Sequence, residues 1–463
     1  MVERRPEGLP ILPIDTGRYG TPEMRQIFEQ ENRLQRMLDV EATLAWAHAE
    51  VGDIPRKDAD KIVQMASTKY VKLERVKAIE KEIKHDVTSL IRALAEVCGT
   101  SGAYVHLGAT SSDILDTATA LQLKEVVAII ERRLNDLEKV LLEKAEGNMR
   151  TIMMGRTHGQ HALPITLGFK FSVWLRENAR HIQRLEECSE RLLVGKMSGA
   201  VGTQAGLGKN AMKIQELVME KLGIKAADIS TQIIQRDRYA EFVALLALIA
   251  ASLENFALEI RELQRPEIGE LSEPFESAKQ VGSSTMPHKH NPEACETMCG
   301  LARIVRSLVV PELENVITWH ERDLTQSSAE RFVIPEACIL ADHMLVKMTD
   351  IISGLVVNKE RMKENVGLTQ GRCMSEAVMI ALTEKGMSRQ EAHEHLRVLS
   401  IKSETQKQPF RTVLLEDKRV RKLLTPEEID KALNQRNYLG TAVKQVRQMI
   451  NKTRKERKAR GLR

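Results

Sequence analysis

The eleven residues GSSTMPHKHNP, at positions 282–292, gather hydroxyl, lysine and amide side chains into one short segment. Gly282 permits backbone angles at which successive N–H groups converge on an anion. Lys289 adds a positive charge, and Asn291 can donate a hydrogen bond to a carboxylate oxygen. Such a segment suits a reaction in which negative charge develops on a bound carboxylate. The simpler alternative is an ordinary surface loop.

Other short polar segments interrupt a helical pattern, and each carries little information when taken alone. They are EIKHDVTS at 82–89, HLGATSSD at 106–113, GRTHGQHALP at 155–164, STQIIQRDR at 230–238 and TWHERDLTQSSAERF at 318–332. Single histidines near helix ends are more often structural than catalytic. A function for these segments therefore depends on their occurring together.

The spacing of histidine and glycine argues against metal and phosphate-loop sites. His158 and His161 are three residues apart, and His393 and His395 are two apart, but neither pair has a third donor at the spacing of a zinc site. The segment GTQAGLGKN at 202–210 lacks the first glycine of a P-loop and has no Ser or Thr after its lysine. We therefore expect neither a metal nor another cofactor.

Long helices must position these segments. Leu, Ala, Glu, Lys, Arg and Met dominate the 463 residues, whereas aromatic residues make up only 3%, a composition that favours helices. Apolar residues recur at helical spacing from Leu123 to Leu141, and further long helices are expected at 167–193, 239–263 and 295–313. The sequence predicts an all-α fold whose centre is an elongated bundle of long helices.

Three helical domains are expected from the changes in helix length. The N-terminal domain is placed at 1–109, and the central long-helix bundle at 110–360, with its signature loop at 281–292. A C-terminal helical domain with a basic tail follows at 361–463. In that domain SRQE and TPEE, which begin at Ser388 and Thr425, have the pattern of a capping box.

Charge and cysteine usage limit the partners and the compartment. The net charge is +5, and part of the excess lies in the tail NKTRKERKARGLR. We interpret this tail as a solvated, fraying helix end rather than a nucleic-acid site, because no basic and aromatic pattern accompanies it. The six cysteines are scattered, the first ten residues lack an apolar signal-peptide core, and the longest apolar run is short for a membrane span. We expect a cytoplasmic protein with no membrane or nucleic-acid partner.

The segment GSSTMPHKHNP closely resembles the signature loop of the fumarase/aspartase superfamily, whose members release fumarate by β-elimination. Within that superfamily, GRYG at 17–20, KHDV at 84–87 and MPHKHNP at 286–292 resemble the adenylosuccinate lyases. His290 departs from the family pattern, which more often has Arg or Val there. The resemblance covers nearly the whole chain.

This resemblance implies roles for individual residues. Ser283 would be the base that removes a carbon-bound proton, and His158 would be the acid that protonates the leaving nitrogen. His85 and His106 would support them, although a structural role for His106 is an equal alternative. The remaining residues would bind the succinyl, phosphate and ribose groups of a nucleotide. They are Arg18, Tyr19, Lys84, His85, Asp86, Thr110, Ser111, Thr157, Gln232, Ser284, Lys289, Asn291, Arg322, Ser327 and Arg331.

The resemblance also implies an assembly and a reaction. Family members are homotetramers with a twenty-helix core, and each active site is built from three subunits. The expected reaction releases fumarate from adenylosuccinate, giving AMP, and from the succinyl-carboxamide imidazole ribotide, giving its carboxamide product. Another lyase of the superfamily or a carboxymuconate cycloisomerase is the alternative within the enzymes. A non-catalytic helical protein, similar to the structural lens crystallins of the superfamily, is the alternative outside them.

Overall fold

The computed structural model of the protein describes residues 11–275 and 281–462. The N-terminal stretch 1–10, on which the absence of a signal peptide was predicted, lies outside them. The chain forms two compact units. Unit 1 contains residues 1–135, 180–254 and 300–347, and unit 2 contains residues 136–179, 255–299 and 348–463. The three sequence-based domains stay a prediction.

The described chain is predominantly helical, as the composition predicts. In the first half of the chain the helices are α1 (Pro22–Phe28), α2 (Gln30–Glu50), α3 (Arg56–Met65), α4 (Leu73–Ile83), α5 (Asp86–Cys98), α6 (Ser111–Gly147), α7 (Leu167–Leu192), α8 (Ala211–Leu222) and α9 (Asp237–Gln264). In the second half they are α10 (Glu293–Ser307), α11 (Val309–Glu314), α12 (Thr325–Ser353), α13 (Lys359–Gly367), α14 (Ser375–Glu384), α15 (Arg389–Thr405), α16 (Phe410–Glu416), α17 (Lys418–Leu423), α18 (Pro426–Leu433) and α19 (Ala442–Ala459). Short 3-10 turns cover Gly99–Tyr104, Ala205–Asn210, Arg372–Met374 and Gln435–Tyr438.

The long helices predicted around 123–141 and at 167–193 and 239–263 are confirmed as α6, α7 and α9, which have 37, 26 and 28 residues. The long helix predicted at 295–313 is wrong, because the chain forms the separate helices α10 and α11 there, of 15 and 6 residues. Pro311 has no N–H with which to continue the hydrogen bonds of α10. Helix α12, with 29 residues, was not predicted. The apolar residues predicted to form one seam of α6, from Leu123 to Leu141, are buried. Helix α9 is long and apolar enough to cross a membrane by length and composition, but 61% of its most apolar window is buried inside the protein. That burial is typical of a core helix.

Within residues 11–275 and 281–462, three small two-stranded sheets lie between the helices. They are the antiparallel hairpin β1 (Ile152–Thr157) with β2 (Gln160–Thr166), the parallel pair β3 (Val194–Gly195) with β4 (Lys225–Ala226), and the antiparallel pair β5 (Leu271–Ser272) with β6 (Val356–Val357). The β1–β2 hairpin was not predicted. Met153 and Met154 anchor it, because both are buried, and a register shift follows Met154.

Of the two capping boxes predicted in the C-terminal helices, one is complete and the other is partial. Thr425 and Glu428 form the complete capping box predicted at the start of α18. At the start of α15 the Ser388 hydroxyl accepts the Glu391 N–H at 3.3 Å, whereas the Glu391 carboxylate pairs with Arg419. The second predicted box therefore takes the form of a Ser388 side-chain cap.

The prediction that the basic tail frays is wrong. Helix α19 carries the chain to Ala459, and its Thr453 is fully buried. Arg457 donates to the Glu138 carboxylate at 3.1 Å, and Arg460 contacts the same carboxylate. Glu138 is itself buried. The tail is held within unit 2 because its arginines neutralise a carboxylate that would otherwise be buried without a counter-charge.

Candidate active site

The signature loop folds so that the Ser283 hydroxyl accepts two backbone hydrogen bonds. Its Oγ lies 3.3 Å from the nitrogen of Thr285 and 3.1 Å from that of Met286. Such donors stabilise a negatively charged oxygen more than a neutral one. These two N–H groups are donors that a base at Ser283 would require, and Ser284 and Lys289 on the same loop are exposed.

A hydrogen bond joins the two ends of the signature loop. Asn291 donates from Nδ2 to the carbonyl oxygen of Gly282 at 2.9 Å. A Cβ at position 282 would lie 2.3 Å from the carbonyl oxygen of Lys289, so only glycine fits there. The ring of His290 stacks on Phe275 with 3.9 Å between centroids. Asn291, predicted to bind a substrate carboxylate, thus also holds the base of the loop.

His158 occupies the tip of the β1–β2 hairpin. The two turn residues His158 and Gly159 have φ angles of 54° and 73°. Type I′ turns need positive φ at both central positions, and their twist matches that of a hairpin. This backbone is uncommon for a residue with a Cβ. The turn exposes the imidazole and the preceding Thr157 at the end of a two-stranded support.

The KHDV segment joins α4 to α5. Lys84 ends α4 with a left-handed φ of 57°, and His85 caps α5 by accepting the Thr88 N–H at its Nδ1, at 3.2 Å. Because Nδ1 accepts, the neutral imidazole carries its proton on Nε2. His85 is half-exposed, with 51% of its side chain accessible. Its Nε2–H can therefore be offered to a ligand.

A cavity of about 150 Å³ in unit 1 brings together Arg322, Ser327 and Arg331. Arg331 donates to the Asp86 carboxylate at 3.1 Å. Arg322 donates from Nη1 to Oε1 of Gln232 at 3.2 Å. Residues predicted from three separate segments are thus linked at or beside this cavity, with guanidinium groups suited to an anion.

A buried charge network underlies this cavity. Arg236 bonds both oxygens of Asp116 at 2.9 Å and contacts Glu330 at 2.6 Å. Burial opposes the charge of Arg236, but Asp116 and then Glu330 outweigh it and raise its pKa. Burial also raises the pKa of Glu330, which Arg236 counteracts only in part. The network fixes α6 and α12 to the segment that precedes α9.

The turn before α6 rests on a second buried pair. Asp113 pairs with Lys196, and both side chains are almost wholly inaccessible. The same carboxylate accepts the Thr110 N–H at 2.9 Å. Ser111 is the first residue of α6. Asp113 therefore sets the backbone that carries Thr110 and Ser111, two of the predicted substrate-binding residues.

His106 is engaged by a carboxylate. Its Nδ1 lies 2.6 Å from Oε1 of Glu41, which is buried. Burial alone would lower the pKa of His106, but the hydrogen bond and charge of Glu41 outweigh this and raise it. This pairing fixes the orientation of His106 in unit 1, and it is compatible with both roles considered from the sequence.

The GRYG segment is less tightly fixed. The Arg18 guanidinium lies 5.9 Å from the centroid of the Tyr19 ring, within cation–π range. The Tyr19 ring meets His343 edge-on, with 5.5 Å between centroids. Arg18 is exposed, so its charge is accessible to a ligand.

The predicted site residues fall into two groups, each inside one unit. Unit 2 holds those of the signature loop and the hairpin tip, which are Thr157, His158, Ser283, Ser284, Lys289 and Asn291. Unit 1 holds Arg18, Tyr19, Lys84, His85, Asp86, His106, Thr110, Ser111, Gln232, Arg322, Ser327 and Arg331.

Sequence reasoning missed several groups at the unit 1 cavity. Arg33, Asp116, Arg236, Gln326 and Glu330 line it. Burial, and then the nearby Arg331, lowers the pKa of Arg33, and both guanidinium-bearing residues line the cavity. Asp116 lies three residues after the polar segment 106–113, and no sequence signal singled out Arg33. Arg236, Gln326 and Glu330 lay inside segments already singled out.

The chain was compared with known proteins. Residues 17–307 match the family described as Lyase, and residues 371–449 match the family described as Adenylosuccinate lyase C-terminus. An adenylosuccinate lyase of Methanocaldococcus jannaschii is 50% identical over 453 residues, which cover 98% of each chain. One of Pyrococcus abyssi is 52% identical over 452 residues, covering 98% of this chain and 100% of the relative.

Solved structures of the same fold are also similar. A fumarate lyase from Mesorhizobium sp. BNC1 has a TM-score of 0.87 at 34% identity and covers 93% of this chain and 98% of its own. A 3-carboxy-cis,cis-muconate lactonizing enzyme from Pseudomonas putida has a TM-score of 0.87 at 34% identity, covering 96% and 99%.

Proposed function

This chain belongs to the adenylosuccinate lyase family, and we propose that it eliminates fumarate from succinylated purine nucleotides and their precursors. Its substrates are adenylosuccinate, which yields AMP, and the succinyl-carboxamide imidazole ribotide, which yields the carboxamide ribotide. Both reactions break a carbon–nitrogen bond next to a carboxylate-bearing carbon. No cofactor is required for this chemistry.

The observation that carries the proposal is the double backbone hydrogen bond to Ser283 Oγ. A carbon-bound proton next to a carboxylate is weakly acidic, so its removal needs a strong base. Two N–H donors stabilise the serine alkoxide that supplies this base. The proton passes from carbon to Ser283 Oγ, and the electron pair moves onto the adjacent carboxylate.

The remaining groups of unit 2 complete the elimination. Ser284, Lys289 and Asn291 hold the carboxylates on which negative charge accumulates. The carbon–nitrogen bond then breaks, the double bond of fumarate forms, and His158 delivers a proton to the leaving nitrogen. The exposed hairpin tip supports this assignment because it leaves the imidazole accessible to a ligand.

Unit 1 supplies the nucleotide-binding groups in this proposal. Arg322, Ser327 and Arg331 bind phosphate and ribose, together with Arg18 and Tyr19. Lys84, His85 and Asp86 lie alongside through the Asp86–Arg331 contact. Gln232 orients the succinyl portion, Thr110 and Ser111 add hydrogen bonds, and Thr157 of unit 2 adds another. A carboxymuconate substrate has no phosphate and would leave the guanidinium groups unused.

The proposed assembly is a cytoplasmic homotetramer with a twenty-helix core, three helical domains per chain and active sites shared among subunits. Support comes from apolar side chains that unit 1 leaves accessible along one stretch of chain. Val310, Ile317, Trp319, Leu324 and Phe332 are each more than 60% exposed. Exposed apolar surface of this extent marks an interface. The six cysteines are free and buried, as suits a reducing compartment.

Fumarate release tests the proposed activity. Purified protein is mixed separately with adenylosuccinate, the succinyl-carboxamide ribotide and 3-carboxymuconate, and the products are quantified. Fumarate from the two nucleotides, with no lactone from carboxymuconate, is expected. Absence of fumarate from both nucleotides would overturn the proposal, and lactone formation would favour the cycloisomerase. Arg18→Ala should strongly reduce nucleotide turnover through lost phosphate binding.

A further inference from the structure

The side chain of Gln326 is buried but has no hydrogen-bond partner within residues 11–275 and 281–462. The residue is 1% exposed, and neither its Oε1 nor its Nε2 is satisfied. A buried amide without partners is unfavourable, and native proteins rarely retain one without a reason. Gln326 lines the unit 1 cavity together with Arg322, Ser327 and Arg331.

Several neighbouring polar groups of the cavity already have partners, although the Nε of Arg322 has none among the described residues. Arg236 satisfies Asp116 and Glu330, and Gln122 donates to the carbonyl oxygen of Ile27 at 2.6 Å. Gln326 is thus distinguished by having both ends of its amide unpaired. The missing partner must supply a hydrogen-bond donor for Oε1 and an acceptor for Nε2.

From this pairing requirement we propose that Gln326 recognises a hydroxyl-bearing part of the substrate, the ribose of the nucleotide. A phosphate or carboxylate at neutral pH offers acceptors only and would leave Oε1 unpaired. A sugar hydroxyl both donates and accepts, and neighbouring hydroxyls can meet both ends of one amide. The inference rests on the proposed function, and it adds a specificity residue to the same site.

The position of Gln326 fits a ribose contact. Gln326 directly precedes Ser327 at the start of α12, and the guanidinium groups of Arg322 and Arg331 line the same cavity. A phosphate held by those groups carries its ribose one ester linkage away. The Gln326 amide therefore contacts the ribose next to the bound phosphate. It binds the substrate and takes no part in the acid–base pair.

Binding of AMP, 2′-deoxy-AMP and 3′-deoxy-AMP tests the assignment by calorimetry on the intact protein. Wild type should bind at least one deoxy nucleotide about tenfold more weakly than AMP, because its absent hydroxyl leaves part of the amide unpaired. Gln326→Met, which keeps the unbranched shape, should bind AMP about tenfold more weakly and discriminate less than about twofold. Ser328→Ala, at an exposed neighbour on α12, should behave as wild type.

Stability gives an independent readout. Because methionine removes an unpaired buried amide, Gln326→Met should have an unliganded melting temperature equal to or above that of wild type. Gln326→Leu serves as a second apolar variant. A lower melting temperature in both variants would assign Gln326 a partner within the assembly and overturn the inference.

The remaining outcomes separate the two proposals. If wild type releases fumarate but Gln326→Met keeps the wild-type discrimination between AMP and its deoxy forms, the ribose assignment is wrong and the proposed function stands. If wild type neither binds AMP nor releases fumarate, the proposed function fails, and the assignment of Gln326 fails with it.

Discussion

The guanidinium of Arg236 and the carboxylate of Asp116 face each other through two hydrogen bonds of 2.9 Å, and both residues are buried. Glu330 approaches the same guanidinium at 2.6 Å. A fully satisfied network of this kind is rigid and fixes the elements that it joins. It holds the wall of the cavity to which Arg322, Ser327 and Arg331 belong.

Arg236→Met is expected to destabilise the protein strongly. It leaves the buried Asp116 and the partly buried Glu330 without their counter-charge, and breaking a buried ion pair in this way typically costs about 3–5 kcal/mol. Urea unfolding of wild type and variant at equal protein concentration measures the difference. Arg191→Met is the control, because its pair with Glu241 is exposed and should contribute less than about 1 kcal/mol. Equal losses in both variants would contradict the prediction.

A buried carboxylate near the same network predicts a pH dependence. Burial, and then the charge of Glu330, raises the pKa of Glu312 from its ordinary 4.5 to about 7. Between these values the unfolded chain releases its proton while the folded chain retains it. The contribution of Glu312 to the free energy of unfolding therefore falls as pH rises from about 4.5 to 7. Above pH 7 this contribution no longer changes.

Glu312→Gln should remove this penalty. The variant should match wild type near pH 4.5 and exceed it by roughly 3 kcal/mol at pH 8, which corresponds to the 2.5 units between the two pKa values. Unfolding free energies at pH 5, 6, 7 and 8 measure the trend. Glu314→Gln, at an exposed site on the same helix, should show no such trend. A gain that is independent of pH would refute the assignment.

The sequence predicted the helices better than their connections. The apolar seam of α6 was visible because its spacing matches the helical repeat and the residues are indeed buried. The β1–β2 hairpin was not visible, because its turn residues His158 and Gly159 were considered for chemistry, and its anchoring methionines do not alternate as strand residues usually do. Tertiary burial of Met153 and Met154 decides that conformation.

Site residues were predictable where a motif carried them and not where partners meet only in three dimensions. Ser283 could be singled out from GSSTMPHKHNP, but the two backbone donors that bond its hydroxyl depend on the loop conformation. Gln326 lay inside a segment already singled out, yet only its burial without a partner distinguishes it. Periodicity and composition do not indicate which residues distant in sequence become hydrogen-bond partners in the fold.

Deleting residues 451–463 is expected to destabilise the protein, since the truncation removes both arginines from the buried Glu138. The loss should be about 3–5 kcal/mol, as for other uncompensated buried charges. Glu138→Met in the truncated chain should recover part of it, because the unpaired carboxylate is then absent. Thermal unfolding of both proteins measures the recovery.

A shorter deletion controls for the length of the tail. Removing only residues 461–463 keeps Arg457 and Arg460 and should leave the melting temperature near that of wild type. If the long truncation were as stable as wild type, the tail would be dispensable and the contact with Glu138 would contribute nothing measurable.

Two substitutions in the signature loop distinguish the contribution of the Ser283 side chain to turnover from that of the loop conformation. Ser283→Ala removes the proposed base and should lower kcat for fumarate release by about 10²–10⁴-fold, the usual contribution of general base catalysis. Thr285→Ala keeps the main-chain N–H that lies 3.3 Å from Oγ and should retain most of the turnover. Circular dichroism should show that both variants fold. Full activity of Ser283→Ala would refute its role as the base, whereas an equal loss in Thr285→Ala would show that loop conformation, not the Ser283 hydroxyl alone, limits the rate.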